Sequence, residues 1–91
     1  MTIDEQFQAF ERNYAALNRQ HKPGSEESQA YSFIVSGIDA GWSVETKQRV
    51  SDLHLTIVGS LEDFESSRAR ELLRKAADEL ANIIGLPLRY H

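Results

Sequence analysis

The sequence predicts an α+β domain: a two-layer sandwich in the order helix, three-stranded antiparallel sheet, helix (αβββα), with both helices on one sheet face. Three observations carry this expectation. The two ends of the chain repeat apolar residues at helical spacing, the middle alternates apolar and polar residues, and glycine, proline or serine-aspartate punctuation separates the segments.

The first helix is expected over about residues 2–21. Ile3, Phe7, Phe10, Tyr14 and Leu17 recur in steps of four and three, which places five large apolar side chains on one face. Thr2 followed by Glu5 fits a capping box, and Lys22-Pro23-Gly24 ends the helix because proline breaks its hydrogen-bond ladder. The segment Gly24-Ser25-Glu26-Glu27-Ser28 reads as an exposed loop.

Strands are expected at about residues 30–36, 42–49 and 53–59. Tyr31, Phe33 and Val35 alternate with Ser32, Ile34 and Ser36; Trp42, Val44 and Thr46 alternate with Ser43, Glu45 and Lys47; Leu53, Leu55 and Ile57 alternate with His54, Thr56 and Val58. Turns fall at Gly37 to Gly41 and at Ser51-Asp52. The last helix, about residues 62–84, carries Ala69, Leu72, Leu73, Ala76, Leu80, Ile83 and Ile84 on one face. Ser60, Ser66 and Ser67 are its candidate N-caps, Gly85 its C-cap, and residues 86–91 a tail. One domain of residues 1–91 accommodates all of this.

Composition narrows the function. Ten basic residues stand against fourteen acidic ones, a net charge of −4, which disfavours phosphate backbones and anionic lipid. The absence of cysteine removes disulfides, thiolate nucleophiles and the commonest structural zinc sites. With no apolar run of membrane-span length, a soluble cytoplasmic protein is expected.

Catalytic constellations are not expected either. His21, His54 and His91 fall on separate elements, no serine lies in a G-x-S-x-G elbow, and no glycine-rich phosphate loop is present. His54 as a base facing Ser32, Ser43 or Glu45 is the one enzymatic arrangement the strand pattern offers. The acidic group Glu62, Asp63 and Glu65 suits the positive end of a helix better than a metal. No cofactor is expected.

Two surfaces remain for binding. The outer sheet face would present Ile34, Glu45, Lys47, Arg49, His54 and Val58, an apolar pair with a charged surround suited to a protein partner or a second copy of the chain. The last helix carries a basic cluster of Arg68, Arg70, Arg74 and Lys75, the alternative surface for nucleic acid, although Glu71 and Asp78 are spaced to pair with it.

From Phe7 to Gly85 the helix, three-strand, helix order resembles the layout of double-stranded RNA-binding domains. Those domains open their last helix with a lysine-rich S-K-K-x-A-K type motif, where this chain has Ser66-Ser67-Arg68-Ala69-Arg70-Glu71. The resemblance is one of topology and carries no residue role. The function expected from the sequence is a small acidic, non-enzymatic interaction module. It would be an adaptor or inhibitor, of the kind found among phage and mobile-element accessory proteins, that binds a larger cellular protein.

Overall fold

The computed structural model describes residues 2–41 and 45–85. They form four α-helices: α1 (Ile3–Gln20), α2 (Glu26–Asp39), α3 (Thr46–Ser60) and α4 (Ser67–Ile84), with a single 3-10 turn, Leu61–Asp63, ahead of α4. The architecture is all-α, and no strand occurs among the described residues. This overturns the αβββα sandwich: the expected strand 30–36 lies within α2, and 53–59 lies within α3. The expected strand 42–49 runs into the start of α3, while its residues 42–44 fall outside the described residues, as does the tail 86–91. The layout shared with double-stranded RNA-binding domains goes with the strands.

The helical period wins in the middle of the chain because the burial it produces is coherent. In α2, Ala30, Tyr31, Ile34 and Ile38 are buried; in α3, Val50, Leu53, His54 and Ile57 are buried at steps of three, one and three. Leu55 decides between the two patterns. In a strand it would share the core face of Leu53 and Ile57, but two residues along a helix turn a side chain by about 200°. Leu55 is accordingly 64% exposed, while Leu53 is 4% and Ile57 0% exposed. The Ser51-Asp52 turn is likewise absent: both lie inside α3, where the Asp52 carbonyl accepts from Thr56 Oγ1 at 2.8 Å and Asp52 Oδ1 from Gln48 Nε2 at 2.8 Å.

The ends of the helices follow the chemistry of their caps. Thr2 Oγ1 accepts from the Glu5 amide at 3.1 Å, Ser25 Oγ from the Ser28 amide at 3.1 Å, and Ser66 Oγ from the Ala69 amide at 3.1 Å. The segment expected as a loop, 24–28, is therefore the capped start of α2, with Glu26 and Glu27 in its first turn. Gly85 closes α4 with φ +74°, a left-handed conformation that favours glycine.

Helix α4 packs broadly against α2 and α3, and α1 packs mainly on α2. Alanines 69, 76, 77 and 81 are buried on α4, and such small residues let neighbouring helices approach. Gly37 has the same effect between α2 and α3, where a Cβ would lie 2.6 Å from Leu53 Cδ1. The centre is filled by Ile34, Val50, Ile57, Leu73 and Leu80. A row of rings joins α1 to α2: Phe7 to Phe10 (6.1 Å), Phe10 to Tyr14 (4.5 Å), Tyr14 to Tyr31 (5.8 Å) and Tyr31 to His21 (5.1 Å).

Candidate functional site

The corner at which α2 and α4 begin brings acidic and aromatic groups together. Ser25 and Ser66 cap the two helices, so the positive ends of both dipoles collect Glu26 and Glu27 on one side and Asp63 and Glu65 on the other. Phe33 comes from α2, two turns from its start, and Phe64 from the extended residue after the 3-10 turn. Their rings meet edge to face, 5.4 Å apart at 80°, and both are half-buried. Around them opens a groove of about 710 Å³ whose walls include Glu26, Gln29, Asp63, Glu65 and Ser66.

Neighbouring cations leave three of these carboxylates unpaired. Arg68 lies 3.8 Å from Glu27 and 3.7 Å from Glu71, at the edge of the groove, and no ion pair engages Glu26, Asp63 or Glu65 among the described residues. Exposed carboxylates beside aromatic rings make a groove chemically suited to a guanidinium or ammonium, because a ring face and a carboxylate both attract a cation.

The residues expected on an outer sheet face do not form one. Ile34 is fully buried in the core and His54 is 7% exposed on the inner side of α3, because the helical period turns both inward. Val58 is half-buried against the core, and Glu45 and Lys47 stand exposed at the start of α3. Arg49 lies with its guanidinium 5.2 Å above the Phe7 ring and 3.9 Å from Glu11. The partners suggested for His54 are elsewhere: Ser32 donates to Asn18 Oδ1 at 2.9 Å, Ser43 is outside the described residues, and Glu45 precedes His54 by nine residues, about 14 Å of helix.

The basic cluster of α4 is divided. Arg70 and Arg74 lie one turn apart on one stripe; Arg68 and Lys75 lie on another, with Glu71 between them. Arg68 is held by its two carboxylates and Arg70 Nη2 donates to Ser67 Oγ at 3.4 Å. Glu62, Asp63 and Glu65 precede α4 rather than form its first turn. No group of three or more histidine, aspartate or glutamate side chains among the described residues is arranged to hold a metal ion.

A second groove, about 450 Å³, runs between α1 and α4 under Gln6, Asn13, Glu79 and Asn82, with Phe10 and Ile83 at its floor. Beside it Tyr14 donates its hydroxyl to Glu79 Oε2. Burial first, and the adjoining carboxylate second, push the Tyr14 phenol well above the ordinary tyrosine range, so it stays a neutral donor.

The sequence places Phe33 on the expected core face and Phe64 within the expected last helix, with no binding role for either. The signal for the corner lay in Ser25-Glu26-Glu27, a cap followed by two acidic first-turn residues, which marks a helix start. Fold and site together define a small all-helical protein with an acidic, aromatic-floored groove. No family model matches the chain, and no curated protein or solved structure does either. Among the described residues no helix is long and apolar enough to cross a membrane.

Proposed function

We propose that this chain is a non-enzymatic protein-interaction module that receives a basic side chain of its partner in the groove between the starts of α2 and α4. The observation that carries the reading is that the edge-to-face pair of Phe33 and Phe64 lines one groove with Glu26, Asp63 and Glu65. An arginine entering the groove would lay its guanidinium plane against a ring and direct its donors to the carboxylates. Each cation–π contact is worth about 0.5–2 kcal/mol, depending on how far the pair is desolvated. Arginine and aromatic residues concentrate the energy of protein interfaces, so one such anchor supports recognition by a domain this small.

The net charge of −4 supports the same polarity, since it raises encounter rates with a basic surface and opposes nucleic acid. A partner whose basic groove otherwise holds nucleic acid would be inhibited by occlusion. The alternative surface, on α4, is weakened by the carboxylates at Arg68.

Calorimetric titration with an arginine-containing peptide, and with the same peptide carrying citrulline instead, tests the proposal. Saturable binding of the arginine peptide alone is expected, weakened by Phe64→Ala and by Glu65→Gln. Equal binding of the two peptides, or binding indifferent to both substitutions, would overturn it.

A further inference from the structure

A separate cavity of about 220 Å³ lies where the end of α2 meets α3, lined by Gly37, Gly41, Arg49, Asp52 and Thr56 with Leu53 beneath. It is smaller than the 300–1,000 Å³ typical of drug-sized ligand pockets, so any molecule it takes is small. The two glycines shape it: a Cβ on Gly37 would lie 2.6 Å from Leu53 Cδ1, and one on Gly41 would lie 3.3 Å from Arg49 Nε.

Its α3 wall carries a donor and acceptors along one stripe, Arg49, Asp52 and Thr56 at successive turns. Arg49 Nε is buried and has no hydrogen-bond acceptor among the described residues, although a buried donor without a partner is costly. The rest of the guanidinium lies over the Phe7 ring with Nη2 3.9 Å from Glu11, and neither contact supplies an acceptor to Nε. Acceptors follow it one and two turns further along α3. Asp52 uses one carboxylate oxygen for Gln48 at 2.8 Å and retains further lone pairs. Thr56 donates its hydroxyl proton to the Asp52 carbonyl at 2.8 Å, which leaves its oxygen to accept. The carbonyl end of α2 adds partial negative charge, and that helix has no basic residue in its own last turn.

A lone anion would satisfy Arg49 but meet Asp52 and the negative helix end; a lone cation would leave the Arg49 donor unmatched. A molecule with a carboxylate at one end and an ammonium at the other satisfies both kinds of group. We infer that this cavity binds a small zwitterion of the amino-acid class, its carboxylate on Arg49 and its ammonium on Asp52 and the end of α2.

Titration of the isotope-labelled protein with glycine, acetate and methylammonium, followed through the Arg49 Nε–Hε signal and the Gly41 and Thr56 amides, tests this. Glycine is expected to move all three saturably and to bind at least about tenfold more tightly than either single-charge probe. Asp52→Asn, at an exposed position, should weaken glycine about tenfold and leave acetate unchanged. Arg49→Gln should abolish the response to glycine while the helical circular dichroism is retained. Acetate binding as tightly as glycine, no saturable shift with glycine, or an Asp52→Asn variant that binds glycine normally would each overturn the inference.

Discussion

Tyr14 of α1 and Glu79 of α4 are joined by a 2.5 Å hydrogen bond from the phenol to the carboxylate, the polar tie between the first and last helices. Tyr14 is 2% exposed and sits in the middle of the row of rings, between Phe10 and Tyr31, while Glu79 stands half-buried at the mouth of the α1–α4 groove. The pair sets how stability depends on alkaline pH.

Burial and Glu79 raise the folded pKa of Tyr14 above its unfolded value. The folded state therefore holds this proton more tightly, and its contribution is complete below about pH 10 and declines as pH rises beyond that value. Tyr14→Phe should cost about 1–2 kcal/mol near neutral pH, the range for a hydrogen bond to a partly solvated charged group. It should also flatten the loss of stability above about pH 10. Urea unfolding of both proteins across this interval measures the two effects.

Leu55 and Ile57 separate the helical fold from the alternating pattern of the sequence. Leu55→Lys should change stability by less than about 0.5 kcal/mol, as surface substitutions do. Ile57→Ala should cost about 2–5 kcal/mol, because it leaves a cavity at the centre of the core. Comparable losses at both positions in thermal unfolding would return Leu55 to a buried face.

Three serines compete in the sequence for the start of the last helix, and Ser66 holds the position. Ser66→Ala should destabilise by about 1 kcal/mol through the unsatisfied Ala69 amide. Ser60→Ala should do much less, since Ser60 makes no side-chain cap hydrogen bond to the turn that follows it. Chemical unfolding of the two variants side by side distinguishes them.

These particulars also show what was legible in the sequence. Thr2, the Lys22-Pro23-Gly24 stop, Ser66 as one candidate cap, Gly85 and the apolar faces of α1 and α4 were readable because caps and heptad-like spacing are local signals. The middle was misread because apolar residues are dense there. In Leu53-His54-Leu55-Thr56-Ile57 and its neighbours, alternation and helical spacing both find matches, and Ile34, Val35, Ile57 and Val58 add strand propensity. Packing on α4 settles the competition, a tertiary effect that propensity does not contain.

The misread period also moved the candidate site. Ile34 and His54 passed from an imagined outer face to the interior, while Glu26, Asp63, Phe33 and Phe64, spread over nearly forty residues of chain, came together only when α2 and α4 packed. Among the surface residues named from sequence, Arg49 has a buried Nε and lines a different cavity, where the ligand we propose is of a different class.

Shift mapping of the labelled protein tests most directly whether the acidic groove or the basic stripe of α4 is the binding surface. An arginine-containing peptide and a duplex oligonucleotide would be titrated separately at physiological salt. The account predicts saturable movement of the Gln29, Phe33, Phe64 and Glu65 amides with the peptide and none with the duplex. Movement of Arg70, Arg74 and Lys75 with the duplex, with the groove unmoved by the peptide, would contradict it.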